Sequence, residues 1–319
     1  MGPKGVGRQL PEATRKKIAN AMAAGGGGFG QIPSGFTYLG QFIDHDLTAD
    51  RTAVTLDTHV APSELLQGRS PALDLDSLYG AGPQDPESAR FYEGDGLHLK
   101  MGKTVAAGGD AAMDGFDLPR GAGATAKAKR KAVIPDHRND ENLAVAQTHL
   151  AFIRFHNRVV DSLPASVPAG QRFARARRVV TKHYQWMIRT DYLPRICAKG
   201  VVNQVFNNGR KAFEVGAAPT DVPTMPIEFS VAAFRLGHAM IRRSYTWTAA
   251  STTEPARSTS CSRSRAPAVT SSANRGCRAT GSRTSAGCMT SRRPEDRTSR
   301  CRRASSTAPR GSTRRSSTR

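Results

Sequence analysis

Thr37-Tyr38-Leu39-Gly40-Gln41-Phe42-Ile43-Asp44-His45-Asp46-Leu47-Thr48 sets one histidine between two carboxylates in an otherwise apolar run. The apolar spacing predicts a helix, and burying three titratable groups side by side is costly unless each finds a partner. On such a helix Gln41 and His45, four residues apart, share a face, while Asp44 and Asp46 point to either side of it. One short element therefore offers three chemically different directions.

Outward from this segment, helical patterns dominate. Residues 11–23 read as a short helix closed by the Gly25 to Gly28 run. A long helix is predicted over 140–161, with Leu143, Ala146, Leu150, Ile153 and Val160 on one face. Another is predicted over 171–196, meeting Pro194 near its end, and a third over 227–243. Residues 70–80 read as an acidic loop, and Lys127, Lys129, Arg130 and Lys131 as a solvated charge run. Strand signals are few and no repeat is evident, so the fold class is mainly α.

Composition divides the chain in two. From Ala249 to Arg319 there are 16 arginines, no lysine and only three acids, so this stretch holds most of the formal +21 of the 319-residue chain. It has no Leu, Ile, Phe, Tyr or Trp, and Val269 is its one β-branched aliphatic residue. Such a segment cannot bury enough apolar surface to offset the entropy of folding, and reads as disordered. A basic arm that neutralises nucleic-acid phosphates is one explanation. A one-base slip of the reading frame just after Trp247 is another: shifting the frame over 279–291 restores an apolar, helix-like periodicity. Four of the five cysteines lie in this tail and only Cys197 before it, so no disulfide can form within the body. No signal peptide or membrane span is visible.

Two further clusters bear on chemistry. Asp136-His137-Arg138-Asn139-Asp140-Glu141 opens the long helix, ahead of His149 and His156; Arg138 and Glu141, three apart, can be aimed at one cavity by a single helical turn. Taken alone, this is a helix N-terminus with acids suited to its dipole. Phe234-Arg235-Leu236-Gly237-His238 is the second cluster. A lone histidine in an amphipathic helix is more often structural than a ligand.

Together, in this order and spacing, the three segments closely resemble the animal-type haem peroxidase superfamily, over roughly residues 32–247. Residues 1–31 would then be an N-terminal extension and 248–319 the tail. The resemblance implies that His45 is the distal histidine, Arg138 the distal arginine and Gln41 the residue holding a distal water or halide. His238 would be the axial ligand of haem b iron, with Arg235 beside it. Asp44 and Glu141 match carboxylates that form ester bonds to haem methyl groups in several relatives. Asp46, Ser70, the carbonyl of Ala72, Asp74 and Asp76 match a calcium site, and oxygen donors of these kinds are what Ca²⁺ prefers.

The implied activity is reduction of hydrogen peroxide with oxidation of a small-molecule donor. His45 would shuttle the proton and Arg138 would stabilise the leaving oxygen. Relatives that act as fatty-acid dioxygenases use a tyrosine three residues before the proximal histidine, where this chain has Arg235. Relatives are often extracellular. They also place an asparagine, beyond the proximal helix, on the proximal imidazole; this chain has no matching position. The resemblance therefore also admits a catalytically dead fragment with weak haem retention.

Overall fold

The computed structural model describes residues 10–24, 30–52, 64–105, 111–211, 213–218, 220–242, 244–245 and 256–257. The Gly25 to Gly28 run, the proposed frame break at Trp247 and nearly all of the arginine-rich tail lie outside these residues.

Helix α1 spans Glu12–Ala24 and α2 spans Gly35–Leu47. A four-residue helix, α3, covers Asp76–Tyr79 within the stretch expected to be a loop, and a five-residue helix, α4, covers Ala126–Arg130. Helix α5 runs Leu143–Ser162, later than the predicted start at 140. The delay has two local causes. Asp136 accepts from the Arg138 backbone N–H (3.1 Å), starting a 3-10 turn over His137–Asp140, and extended Asn142 then caps α5 by accepting from the Val145 N–H (3.0 Å).

Helix α6 (Ala169–Met187) passes through a π turn, Ile188–Tyr192, into α7 (Leu193–Ile196). Pro194 lacks the N–H that an α-helix would need and crowds the carbonyl four residues back, and the widened turn accommodates both. The predicted helix 171–196 is thus continuous but not α throughout. Tyr192, at the end of that turn, packs its hydroxyl on Gly40 of α2, where a Cβ would have no room. Helix α8 covers Lys199–Asn208.

The third long helix expected from the sequence is not one element. Helix α9 covers only Ile227–Val231, and after Ala232 (φ −128°, ψ −67°) the chain continues as a 3-10 segment, Ala233–Met240. No residue of either piece is fully buried; Phe229 and Phe234 stack on one another with 5.1 Å between ring centres. Phe229 and Phe234 reach the main core while remaining only partly buried, so apolar periodicity is not enough to hold one straight helix.

Strands are minor. β1 (Gly102–Lys103) pairs antiparallel with β2 (Asp114–Asp117), and β3 (Ser244–Tyr245) with β4 (Ala256–Arg257). The body is mainly α, as the sequence implies.

Helix α2 packs on α5, and α5 on α6. Phe42 is fully buried at that junction, stacked on Phe152 at 4.9 Å and edge-on to Tyr184 at 6.1 Å. Its aromatic anchoring fixes the axial rotation of α2, and with it the directions of Asp44, His45 and Asp46. Among the described residues no helix is long and apolar enough to cross a membrane.

Candidate functional site

All seven side chains assigned from the sequence to the catalytic and cofactor-binding roles line one cavity of about 300 Å³: Gln41, Asp44, His45, Arg138, Glu141, Arg235 and His238. Helix α2 supplies the first three, the turn before α5 the next two, and the 3-10 segment after α9 the last two. These pieces are almost two hundred residues apart at the extremes, so their convergence comes from tertiary packing rather than local sequence.

His45 is buried, and its Nδ1 lies 2.8 Å from Asn139 Oδ1. Burial first, then the charge of Arg138, lowers its pKa to about 4 against the opposing pull of Asn139, so the imidazole is neutral at ordinary pH. Arg138 forms a two-pronged pair with Asp136, Nε to Oδ1 at 3.0 Å and Nη2 to Oδ2 at 2.6 Å, and also donates from Nη2 to the His45 carbonyl (3.0 Å). The guanidinium is therefore fixed in orientation relative to the histidine it faces.

Gln41 is engaged by its neighbours. Its Nε2 donates to Glu141 Oε2 (3.1 Å), and its Oε1 accepts from Asn142 Nδ2 (2.9 Å). Asp44 is paired with Arg235 and accepts from the Thr48 hydroxyl (3.2 Å). Burial outweighs Arg235 and raises the Asp44 pKa; burial likewise raises Glu141. His238, which lines the same cavity, is exposed, with Nδ1 2.9 Å from the Arg235 carbonyl oxygen. A carbonyl accepts only, so Nδ1 carries the proton and Nε2 keeps its lone pair, the tautomer a metal-ligating imidazole needs. A Cβ placed on Gly237 would meet nothing within 4 Å, so chain packing does not itself demand a glycine beside His238.

A second cluster lies behind α2. Ligand oxygens of Asp46, Asp74 and Asp76 all come within 4.8 Å of one another. The Asp46 carboxylate takes the Leu75 N–H (3.2 Å), the Ser77 N–H (3.3 Å) and the Ser77 hydroxyl (3.0 Å). Burial and the neighbouring Asp76 still push its pKa up to about 7. The Oδ1 atoms of Asp74 and Asp76 are buried without a hydrogen-bond partner. Converging carboxylates with orphaned oxygens are a donor set suited to a divalent cation. Ser70 adjoins the cluster through its N–H, 3.1 Å from Asp76 Oδ2, and its Oγ accepts from the Ala72 N–H at 3.2 Å. The Ala72 carbonyl is turned to Gln185 Nε2 (3.3 Å). The loop is held in shape by Leu73 (φ +54°) and Leu75 (φ +61°), a backbone region that leucine rarely adopts.

Three residues with no role in the sequence reading prove structural partners of the site. Arg69 donates to Asp136 Oδ2 from Nη2 (2.6 Å) and Nε (3.1 Å), and its Nη1 lies 3.9 Å from Asp76 Oδ1. One buried carboxylate thus serves two arginines and links the acidic cluster to Arg138. Burial alone would raise the Asp136 pKa, but Arg138 and Arg69 outweigh it and hold the carboxyl well below the usual carboxylate range. Asn139 orients His45. The local signal for Asp136 was present, two residues before Arg138; Arg69 has none, lying 67 residues from its partner.

The sequence model of the animal haem peroxidase family matches residues 31–279, a span that runs past Trp247 into the arginine-rich segment. Thyroid peroxidase of Rattus norvegicus is 28% identical over 190 residues, 56% of this chain and 20% of that protein. Thyroid peroxidase of Canis lupus familiaris is 34% identical over 109 residues, 33% of this chain and 11% of that protein. Heme peroxidase 2 of Caenorhabditis elegans is 24% identical over 179 residues, 53% and 23% respectively. The chain spans about a fifth of the length of the curated relatives it matches over more than half of itself.

Proposed function

Because the chain belongs to the animal haem peroxidase family, we propose that it binds haem b in the cavity between α2 and the His238 segment and reduces hydrogen peroxide while oxidising a small-molecule donor. The observation that carries this is the convergence of Gln41, Asp44, His45, Arg138, Glu141, Arg235 and His238 on one cavity.

The donor set fits the cofactor. His238 would ligate iron through Nε2, with its Nδ1–H directed at the Arg235 carbonyl. Asp44 and Glu141 line the same cavity as candidates for haem ester bonds. Haem, when bound, supplies the redox chemistry that exchanges electrons between peroxide and donor.

The chain's own residues handle protons and charge. His45, neutral and with Nδ1 committed to Asn139, has Nε2 available to take a proton from peroxide and return it to the leaving oxygen. Arg138 remains charged throughout and is aimed by Asp136, so it stabilises negative charge growing on that oxygen without having to reorganise. Arg235 stands where dioxygenase relatives use a radical-forming tyrosine, and an arginine there favours peroxidase chemistry over oxygenation; its guanidinium is paired with Asp44. Calcium would occupy the Asp46, Asp74 and Asp76 cluster, with Ser70 adjoining and the Ala72 carbonyl turning in from Gln185.

Reconstituting the full chain with haem and adding hydrogen peroxide tests the proposal. A shift of the Soret band that is lost in His45→Ala is the expected result; no shift in the parent chain sinks it. The exposure of His238 favours a second reading, a haem-binding chain that retains its cofactor weakly. Stoichiometric haem after gel filtration would rule that out.

A further inference from the structure

Asn139 lies between two imidazoles. Its Oδ1 is 2.8 Å from His45 Nδ1, and its Nδ2 is 3.0 Å from His149 Nδ1. Asn139 and His149 have no solvent exposure, and His45 very little, so water does not compete for these bonds. His149 packs edge-on against Phe42 at 5.9 Å and its Nε2 is buried without a hydrogen-bond partner.

The two ends of an amide are not interchangeable. The oxygen only accepts, so His45 must carry its proton on Nδ1 and present the Nε2 lone pair to the cavity. The NH₂ group only donates, so His149 must accept at Nδ1 and keep its proton on Nε2. Turned end for end, the same amide would donate to His45, force the proton onto Nε2 and remove the base from the cavity. Which nitrogen of His45 can act is therefore decided one hydrogen bond away from the imidazole, by which end of Asn139 faces it.

We propose that Asn139 is a positioning residue that sets the tautomer of His45, its oxygen facing His45 and its NH₂ group seated on the buried His149. The proposal rests on the peroxidase reading of His45, but the tautomer itself can be measured without it. Asn139 does not face substrate and does not line the cavity; it acts only through His45.

The test uses the full chain labelled with ¹⁵N-histidine. Long-range proton–nitrogen correlation spectra distinguish protonated from bare ring nitrogens, and His45→Gln and His149→Gln assign the signals. In the parent, His45 should be protonated on Nδ1 and His149 on Nε2. Asn139→Asp offers acceptors only: it should leave His45 unchanged and move the His149 proton to Nδ1. Asn139→Leu should lose the single His45 tautomer, and the rate of the peroxide-induced Soret shift should fall by about 10- to 100-fold while Asn139→Asp retains most of it. A parent with His45 protonated on Nε2, or a single unchanged His45 tautomer in Asn139→Leu, overturns the proposal. If Asn139→Leu does not fold, the comparison of parent and Asn139→Asp decides: an unmoved His149 proton overturns it. Absence of any peroxide reaction in the parent would count against the peroxidase reading alone, leaving the tautomer result to stand by itself.

Discussion

Replacing Asp136 by asparagine should cost more than any single surface change in this protein. The carboxylate is buried and accepts five bonds: two from Arg69, two from the Arg138 guanidinium and one from the Arg138 backbone. The amide keeps the shape but loses the charge, and leaves two guanidinium groups facing it with side-chain exposures of only 11% and 22%. Breaking a buried pair of this kind costs about 3–5 kcal/mol, and the residual exposure of Arg138 argues for the lower end, about 3 kcal/mol. For a body of this size that corresponds to a fall of about 6–12 °C in Tm.

The pH dependence is distinctive. The folded carboxyl titrates well below its unfolded value of about 3.9, so its contribution is fully present above about pH 4 and is lost as pH falls towards the folded pKa. Thermal unfolding followed by circular dichroism should show a constant gap between parent and Asp136→Asn from pH 5 to 8 that narrows below about pH 4. Adding Arg69→Met should recover part of the loss, because one stranded charge is then replaced by an apolar stem. A gap under about 2 °C at pH 7, or one that persists unchanged at strongly acid pH, would refute the shared-carboxylate account.

Cation-free Asp46 should act in the opposite pH direction. Asp46 is raised to about 7, so without cation the folded state holds a proton that the unfolded state gives up, and stability falls as pH rises from about 4 through 7; calcium should abolish that fall in a thermal scan, and Asp74→Asn should remove the calcium effect. The peroxide reaction should be flat from pH 8 to 5 and decline below about 4, where His45 takes up its proton; a midpoint near 6.5, the ordinary histidine value, would contradict the buried, neutral assignment. Phe42→Ala should cost about 3–5 kcal/mol in denaturant unfolding, since Phe42 is fully buried where α2, α5 and α6 meet. A loss below about 1 kcal/mol would mean that the aromatic cluster does not anchor α2.

Much of the site was legible because residues such as His45 and Arg138 sit in dense local patterns with fixed helical spacing. Helix α2 follows its apolar periodicity closely, since Phe42 and Ile43 have a core to enter. The segment after Ile227 carries a comparable pattern, yet it breaks at Ala232, where Phe229 and Phe234 stack on one another and reach the core only partly buried. Periodicity reports which face is apolar and not how deeply that face is buried. Arg69 and Asn139 were illegible for a different reason: their partners lie 67 and 94 residues away, so their roles exist only once the chain is folded. The start of α5 was misplaced by a few residues because Asp136 and Asn142 each bond backbone N–H groups locally, a competition that hydrophobic spacing does not register.

Leu75 is a position from which there is no easy mutational exit. Its positive φ would suit glycine, and relaxing that backbone is worth about 1–2 kcal/mol. Its side chain, however, has no solvent exposure at all and belongs to the main hydrophobic core, so removing it would cost more than the strain released. The same residue turns its N–H onto Asp46. The acidic loop is therefore nailed from beneath: the residue that bends it into shape is also a piece of the core, and the loop can loosen only if the interior loosens with it.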